Sequence, residues 1–578
     1  MSGTDIIAQM LIRSGVSVVF AYPGAVTMPL HQTLTRYRDK IRVILPRHEQ
    51  GGGFAAQGYA RATGKLGVCM ATSGPGATNL ITSIADAKLD SIPLLAITGQ
   101  VNTGTIGSDG FQETPMTEVC RSITKHHCLI TDVKDIVRVM KEAIYIATTG
   151  RPGPVLIDLP KDVLVSQCYP DFDAEMNLPG YCAEAPDPDP KTLSQIAECI
   201  GEAARPVLLI GGGVITADAS EEIRSFAEKT GFPVAKTLPA LAAFPTDHPL
   251  SLGMIGMHGT VYANRAVYHS DLLLACGVRF SDRITGKVSE FAKSAKVIHI
   301  DIDPAEINKV KKANIPLIAD LKKVFQKING LLENKVKKDL NPWYQSIEEW
   351  KKEFPLAYDH HSPYILPEAA IEELWKKAKD RNVIIATGVG QHQMWTAQFY
   401  HFSKPRTWIS SCGLGTMGFG LPAAMGVKVA CPDRIVVDVD GDGSFQMNIQ
   451  EMATCCTEKI PVKVMLMNNQ HLGMVMQWED RFHGANRGNT YLGFIDDPEA
   501  QGNGDGITPK VRYPDYPGIA RSYGWKSRSV SKKEELSDAI CEMLDADGPF
   551  LLEVNVPYGE HVLPMTPPGG SVENIITK

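Results

Sequence analysis

The chain alternates short apolar runs, most of which end at Gly or Pro, with longer segments of helical periodicity. Runs that are apolar throughout predict strands buried on both faces, and their alternation with helices predicts parallel sheets. We therefore predict an α/β protein of doubly wound parallel-sheet domains. The apolar runs are "VSVVFAYPG", "IRVILP", "GVCMATSGPG", "PLLAITG", "GPVLIDLP", "PVLLIGGG", "LLLACG", "KVIHIDID", "VIIATGVG", "RIVVDVDGDG", "PVKVMLMNN" and "FLLEVNV".

Two stretches interrupt this alternation. Residues 177–193 are rich in proline and lack periodicity, which is typical of a linker, and residues 327–364 form a charged, partly helical connector. They leave a first block (1–175), a central block (190–330) and a third block (365–560), which we predict to be three domains, followed by a C-terminal tail (561–578). A length of 578 residues suits this number of domains.

The first and third blocks share one sequence pattern. "GVCMATSGPGATNLITSIADAKLDSIPLLAITG" and "IVVDVDGDGSFQMNIQEMATCCTEKIPVKVMLMN" both read as strand, Gly-rich turn, helix, Ile-Pro and strand. The similarity indicates either two versions of one architecture or two ordinary βαβ units.

Composition and charge exclude several classes of protein. The formal net charge is −7 without a long basic run, so nothing suggests a nucleic-acid partner. No window reaches the roughly 20 apolar residues that span a bilayer. The 12 cysteines include no CxxC pair, which is typical of reduced thiols. The N-terminal sequence has no signal-peptide pattern, so we expect a cytoplasmic location, or a plastid or mitochondrial one if a transit peptide was removed.

Oxygen-rich side chains follow two successive apolar runs of the third block. Asp442 follows "RIVVDVDG" and Asn469 follows "PVKVMLMN". Residues that follow parallel strands gather at the carboxyl edge of the sheet. If the two strands are neighbours, Asp442, Asn469 and a backbone carbonyl near His471 converge, and hard oxygens of this kind predict a Mg²⁺ site. The alternative is that both motifs are only turns.

The glycines beside this aspartate suit a phosphate group. Gly441 and Gly443 let the backbone approach a phosphate, and a helix predicted to begin near Phe445 adds N–H groups at its N-terminus. "GDG" followed by "NN" at the end of the next strand resembles the diphosphate-binding motif of thiamine diphosphate enzymes. No GxxxxGK[ST] sequence occurs, so the motif is not a P-loop.

This resemblance requires a carboxylate against the aminopyrimidine ring of the cofactor. Glu49 in "RHEQGGGFAAQGYAR" follows a predicted strand at the start of a helix, in a context similar to the same family. The alternative is a glutamate that interacts with the helix dipole. The resemblance further implies that Met417 wedges the cofactor into its bent shape. The thiamine diphosphate contacts that it implies are Gly390, Gln391, His392, Gly415, Met417, Gly441, Asp442, Gly443, Ser444, Asn469, His471 and Met474.

The central block reads as a nucleotide-binding domain, because "PVLLI" is followed by Gly211, Gly212 and Gly213 and then by a helix. Over nearly the whole chain, stretches such as "GSDGFQETP", "GVRFSDRITGK" and "QHLGMVMQWEDRF" resemble catalytic subunits of the FAD-containing acetohydroxyacid synthase (acetolactate synthase) family. The resemblance implies that the nucleotide bound by this block is FAD. It implies contacts at Arg151, Gly212, Met257, His258, Gly259, Arg279, Asp282, Arg283, Asp301, Ile302 and Asp320.

The same resemblance implies a reaction in branched-chain amino-acid biosynthesis. Pyruvate is decarboxylated on thiamine diphosphate, and the hydroxyethyl unit is transferred to pyruvate or 2-ketobutyrate, giving 2-acetolactate or 2-aceto-2-hydroxybutyrate. Glu49 is expected to assist formation of the reactive carbanion. The backbone around Gly24 and Ala25 is the expected donor to the developing alkoxide.

Four side chains are expected to shape the substrate channel. By resemblance, Trp478 favours the larger ketoacid as acceptor, and Phe111, Gln112 and Lys161 line the channel. The alternatives are an exposed helix tryptophan for Trp478 and a plain surface residue for Lys161. The acceptor preference stays open.

The resemblance also implies an assembly. In this family the catalytic glutamate of one subunit faces the diphosphate held by another, so a homodimer or homotetramer is expected, with a small regulatory subunit in biosynthetic members. The chain departs from the family pattern at Ala25, Val26, Asn102 and Pro568, which puts herbicide sensitivity in doubt. The polar segment 496–511 has no assigned role.

Three other readings remain. A sister enzyme such as pyruvate oxidase shares the cofactor motifs and the flavin domain, but is not expected to carry "QHLGMVMQWEDRF". An oxidoreductase of another class would explain the Gly-rich turns without explaining Glu49 together with "GDG" and "NN". A cofactor-binding paralogue without activity would not be expected to retain every matched catalytic position.

Overall fold

Three six-stranded sheets, one in each block, form the framework of the protein. The computed structural model describes residues 1–332, 339–496, 507 and 512–578. Every pairing between the described strands is parallel, and helices cover the sheets, which confirms the predicted α/β class.

The first sheet has the strand order β2-β1-β3-β4-β6-β5. Its strands are β1 (Val18–Ala21), β2 (Arg42–Ile44), β3 (Gly67–Ala71), β4 (Leu94–Gln100), β5 (His126–Leu129) and β6 (Pro154–Pro160). Its helices are α1 (Gly3–Arg13), α2 (Met28–Thr35), α3 (Glu49–Thr63), α4 (Pro75–Thr78), α5 (Ile81–Asp90), α6 (Met116–Cys120), α7 (Ile136–Thr148) and α8 (Lys161–Val165).

The central sheet has the strand order β12-β11-β10-β7-β8-β9. Counted from its own first strand and read from the other edge, this is the 3-2-1-4-5-6 order of dinucleotide-binding folds. Its strands are β7 (Pro206–Ile210), β8 (Val234–Lys236), β9 (Ser251–Met254), β10 (Leu272–Cys276), β11 (Lys296–Asp301) and β12 (Ile315–Ile318). Its helices are α9 (Pro190–Glu202), α10 (Gly213–Thr216), α11 (Ser220–Thr230), α12 (Val261–His269), α13 (Asp282–Thr285) and α14 (Leu321–Leu331), and α15 (Asn341–Glu353) lies in the connector.

The third sheet, β14-β13-β15-β16-β18-β17, repeats the strand order of the first, which favours two versions of one architecture over two unrelated βαβ units. Its strands are β13 (Val383–Thr387), β14 (Trp408–Ser410), β15 (Ile435–Gly441), β16 (Lys463–Asn468), β17 (Lys526–Val530) and β18 (Phe550–Asn555). Its helices are α16 (Pro367–Ala378), α17 (Gln391–Phe399), α18 (Gly420–Ala430), α19 (Asp442–Gln446), α20 (Glu451–Thr457), α21 (Gly473–Phe482), α22 (Tyr516–Ser522) and α23 (Lys533–Asp545).

The first and third blocks pack through α3 and α18. A Cβ atom added to Gly58 would lie 2.8 Å from the carbonyl carbon of Ala423, so the two backbones touch at this point. Beside it, the rings of Phe54 and Phe419 meet edge to face with centroids 5.4 Å apart. The buried core here contains side chains from both sheets, which fixes the two sheets relative to each other.

One predicted helix differs in position. The helix expected near Phe445 begins at Asp442 and is divided into α19 and α20. Asn448 lies in the break, where its side-chain amide donates to the carbonyl of Gly418 at 2.7 Å. Such a bond offers an alternative to continuous helix. No described helix combines the length and the apolar composition needed to cross a bilayer.

Candidate active site

Most of the predicted site residues follow strands, at the carboxyl edges of the three sheets, whereas Arg151 precedes β6. In the first sheet, Glu49 follows β2 and Lys161 follows β6. In the third sheet, Asp442 begins the helix after β15 and Asn469 follows β16. Because β15 and β16 pair directly, Asp442 and Asn469 lie at one edge, as the spacing predicts.

Glu49 is the first residue of α3 and is half-buried. Asn79 Nδ2 donates to Glu49 Oε2 at 2.9 Å, which fixes the carboxylate beside the turn that follows β3. The other oxygen, Oε1, lies next to Gly76 of this turn. The carboxyl group is thus oriented by a neutral amide, which donates to one of its two oxygens.

Five further candidates of the first block lie at the same sheet edge, four on loops and Lys161 at the start of α8. Gly24 and Ala25 follow β1, and Gln112 lies after β4 with a φ of +60°. Phe111 is 90% exposed and Lys161 is exposed at the start of α8. A single chain therefore leaves Phe111 and Lys161 open to solvent.

The side chains of Asp442 and Asn469 are buried at the edge of the third sheet. Asp442 Oδ1 accepts from Gly443 N, and Asn469 Oδ1 accepts from His471 N, both at 3.0 Å. Burial raises the pKa of Asp442 to about 7. Within the described ranges no three His, Cys, Asp or Glu side chains form a metal cluster. One carboxylate, one amide and further backbone or ligand oxygens remain, a donor set that suits Mg²⁺.

His471 is locked beside this pair. Its Nδ1 lies 2.8 Å from the carbonyl oxygen of Asn469, and its ring stacks on Tyr558 with centroids 4.4 Å apart. Burial lowers the pKa of His471 to about 4, so the ring is neutral at physiological pH. Its Nε2 is buried without a hydrogen-bond partner in the part of the chain that the structure describes.

Gln391 and His392 begin α17 and tie the loop after β13 to its neighbours. Gln391 Oε1 accepts from Asn469 Nδ2 at 3.4 Å, and Gln391 Nε2 donates to Gln477 Oε1 at 3.0 Å. His392 Nε2 lies 3.3 Å from Asp440 Oδ1. The structure therefore brings these predicted residues together with the Asp442 edge.

Ser444 joins two more of the predicted loops. Its hydroxyl oxygen accepts from the backbone N–H of Gly418 at 3.0 Å and of Val389 at 3.4 Å. The loop that contains Gly418 also carries Gly415 and Met417, so these residues stand over the start of α19.

A cavity of about 1120 Å³ extends from the carboxyl edge of the central sheet to that of the third sheet. Every residue predicted to contact FAD lines it except Gly259, which lies in the turn before α12. The third block contributes Gly390, Gly415, Met474 and Trp478 to the same lining. The space is large enough for a dinucleotide and reaches the residues predicted for thiamine diphosphate.

Guanidinium groups supply positive charge to this cavity. Arg151, Arg279 and Arg283 line it, and Arg151 comes from the first block. Arg151 Nη1 lies 3.0 Å from Asp303 Oδ2 and 2.6 Å from Glu306 Oε1. Guanidinium groups near a glycine turn are a donor set that suits a diphosphate, so the residues fit a dinucleotide cofactor.

Sequence reasoning missed a buried charge cluster beside the cavity. Arg61 Nη2 lies 3.2 Å from Asp86 Oδ2 and 2.9 Å from Asp90 Oδ2. Cys412 N donates to Asp90 Oδ2 at 2.9 Å, and Thr416 Oγ1 donates to Asp86 Oδ1 at 2.9 Å. Only the spacing of the two aspartates on one face of a helix hinted at a common partner.

Comparisons with known proteins agree with this architecture. The family profiles of thiamine pyrophosphate enzymes match in order: the N-terminal TPP binding domain at residues 1–119, the central domain at 193–328 and the C-terminal TPP binding domain at 388–554. Three consecutive modules on three parallel sheets define the class, and the chain is a thiamine pyrophosphate enzyme.

Two similar proteins show to which family of thiamine pyrophosphate enzymes the chain belongs. "Acetolactate synthase 3, chloroplastic" of Brassica napus is 54% identical, covering 100% of this chain and 87% of the relative. "Acetolactate synthase, chloroplastic" of Arabidopsis thaliana is 54% identical over 100% of this chain and 84% of the relative. The chain belongs to the acetolactate synthase family. The names of these relatives agree with the plastid alternative of the predicted location.

Proposed function

We propose that the protein condenses pyruvate, after its decarboxylation, with a second pyruvate or with 2-ketobutyrate, releasing 2-acetolactate or 2-aceto-2-hydroxybutyrate. The observation that carries this proposal is the cavity lined by Gly212 at one end and by Met474 and Trp478 at the other, beside the Asp442 edge, in a chain of this family.

Thiamine diphosphate is the cofactor that the family supports, and FAD and Mg²⁺ complete the proposed set. When bound, thiamine diphosphate supplies a nucleophilic thiazolium carbon and an electron sink for the loss of CO₂. Asp442, Asn469 and a backbone carbonyl near His471 would hold Mg²⁺ against the diphosphate. The arginines that line the cavity would bind the FAD diphosphate.

Further residues of the third block would shape the thiamine site. We propose that the turn at Gly390, Gln391 and His392 holds the diphosphate, with Gly441, Gly443 and Ser444 opposite. Met417 would support the bent cofactor, because its loop is fastened over the start of α19 through Ser444.

Glu49 is the proposed catalytic carboxylate. It would hold a proton at N1′ of the aminopyrimidine ring, and the hydrogen bond from Asn79 orients its side chain for this role. The backbone N–H groups near Gly24 and Ala25 would donate to the developing alkoxide. Phe111, Gln112 and Lys161 would line the channel and orient the carboxylate of the second substrate. Trp478 would favour the larger ketoacid as that substrate.

The proposed assembly is at least a homodimer. Glu49 has its observed hydrogen-bond partner in the first block, whereas Asp442 is bonded within the third block, and Phe111 is left 90% exposed. A second copy that brings its first block to this third block would complete two sites.

We also propose that a small regulatory subunit binds the protein. The proposed domain limits are 1–175, 190–330 and 365–560. The segment 496–511 lies outside the described residues except for 496 and 507.

The test is a product assay with purified protein, pyruvate, Mg²⁺, thiamine diphosphate and FAD. We expect acetolactate, and a mixed product when 2-ketobutyrate is added. Oxygen uptake with peroxide and no acetolactate would replace this proposal with a pyruvate oxidase. The Glu49→Gln variant should retain FAD and lose most turnover, so near-normal turnover would remove the proposed proton role of Glu49.

A further inference from the structure

The turn that leads into α3, where Glu49 lies, is held by a side chain from the third block, Glu451, and we call this contact the Glu451 cap. The helix itself is N-capped by His48, whose Nδ1 accepts from Gln50 N at 3.1 Å. Glu451 begins α20, and its Oε1 accepts from Arg47 N at 3.0 Å and from His48 N at 3.1 Å. Its Oε2 accepts from Arg47 N at 3.2 Å and from Thr454 Oγ1 at 2.7 Å. The carboxylate is anchored on its own helix and receives the two backbone N–H groups that precede Glu49.

This cap occupies a site built for it. The Glu451 side chain is 0% exposed, and a Cβ atom added to Gly51 would lie 2.8 Å from Glu451 Cδ. A glycine at position 51 therefore leaves the space that the carboxylate fills. Burying a carboxylate is costly unless hydrogen bonds compensate it, and the donors from Arg47, His48 and Thr454 offset part of that cost.

We propose that Glu451 is a positioning residue that fixes the backbone from which Glu49 reaches the cofactor. The inference rests on the proposed function of Glu49. Two independent anchors hold this residue: Glu451 pins the turn before it, and Asn79 pins its carboxylate. Removing the cap frees the turn at residues 46–48, and a displacement of about 1 Å of a catalytic group costs roughly 100-fold in rate.

The direct readout is exchange of the thiazolium C2 proton of bound thiamine diphosphate for deuterium, followed by quenching and proton NMR. The holoenzyme is measured with saturating Mg²⁺, FAD and thiamine diphosphate. We expect Glu451→Ala to slow exchange by roughly 100-fold. Glu451→Gln should slow it by roughly tenfold, because the amide keeps one acceptor oxygen but places an N–H group near Arg47 N. A merely structural role would lower the thermal midpoint and leave exchange unchanged.

Glu458→Gln is the matched control. Glu458 follows the same helix and faces the same segment, but its contacts are with Leu45 N at 3.5 Å and with Arg42 Nη2 at 3.5 Å, before the capped turn. Its exchange rate should stay within about twofold of the unaltered protein.

The outcomes separate the two proposals. Slow exchange in Glu49→Gln with normal exchange in both Glu451 variants would overturn the positioning role and leave the function intact. Normal exchange in Glu49→Gln would overturn the role of Glu49 itself. Equal slowing of exchange in Glu458→Gln and Glu451→Gln would also overturn the positioning role of Glu451. If Glu451→Ala does not fold, Glu451→Gln decides.

Discussion

Arg61 and Asp86 form a buried ion pair at the boundary between the first and third blocks, with Nη2 and Oδ2 3.2 Å apart. The same carboxylate accepts hydrogen bonds from the hydroxyl groups of Ser411 and Thr416. These two residues belong to the loop that carries Met417. A charge pair of the first block therefore fastens a loop that the proposed thiamine site needs from the third.

Arg61→Met removes the only described basic partner of two buried aspartates. Losing one member of a buried pair costs about 3–5 kcal/mol, so we expect a clear fall in the thermal midpoint. The matched control is Arg381→Met, which loses a contact with Asp545 at the surface, where such pairs contribute about 0–1 kcal/mol. The thermal midpoints are measured by calorimetry. Equal midpoints for the two variants would show that the buried pair at Arg61 contributes no more to stability than the surface pair.

Gly58→Ala tests the contact between α3 and α18. The added Cβ would press on the carbonyl group of Ala423, and neither backbone can yield without separating the helices. We expect a destabilisation of about 1–3 kcal/mol. Gly201→Ala, near the end of α9, meets nothing within 4 Å and should be neutral or stabilising by up to about 1 kcal/mol. A Gly58→Ala protein as stable as the control would show that the helices have room to move apart.

The central strands of the sheets could be predicted from the sequence, and several short or edge strands could not. Runs such as β3, β7 and β16 are buried at every position, which is why their apolar pattern is continuous. β17 and β12 each have a single buried residue, and β8 and β14 have only three residues each. Such strands owe their existence to pairing with a neighbour, which a local pattern does not contain.

Without the family resemblance, spacing could predict the site only where its residues flank one βαβ unit. Asp442 and Asn469 flank one βαβ unit, so topology alone brings them together. Glu451 accepts hydrogen bonds from Arg47 and His48, which lie 404 and 403 positions away along the chain. No rule of sequence spacing connects residues so far apart. Phe111 illustrates a second limit, because it is 90% exposed in the single chain and its proposed role depends on the proposed partner subunit.

Lys236 gives the stability of the protein a pH dependence. Its side chain is 0% exposed, and burial lowers its pKa from 10.5 to about 7. Between these values the unfolded chain binds a proton that the folded protein does not, so stability rises with pH by about 1.4 kcal/mol per pH unit. Lys236→Met should abolish this rise between pH 7 and 10. Parallel midpoint curves for the two proteins would contradict it.

Removal of the metal should affect the retention of the two cofactors differently. We expect dialysis against EDTA to weaken retention of thiamine diphosphate by roughly 100-fold, since the proposed Mg²⁺ joins the diphosphate to Asp442 and Asn469. FAD, proposed to be bound by arginines, should stay and serves as the internal control. Both contents are measured after gel filtration, before and after Mg²⁺ is restored. Thiamine diphosphate that remains bound in EDTA would contradict the proposed metal role.

Trp478→Ala tests how the cavity selects the acceptor. Trp478 lines the cavity beside Met474, and its ring packs edge to face on Phe482 with centroids 5.6 Å apart. Removing the indole takes away the apolar wall that an extra methylene of 2-ketobutyrate would contact. With both ketoacids at equal concentration, the ratio of acetohydroxybutyrate to acetolactate should fall roughly tenfold. Trp375→Ala, which removes an indole packed at a tilt against His401, should leave the ratio unchanged. An unchanged ratio in Trp478→Ala would assign acceptor choice to another wall of the cavity.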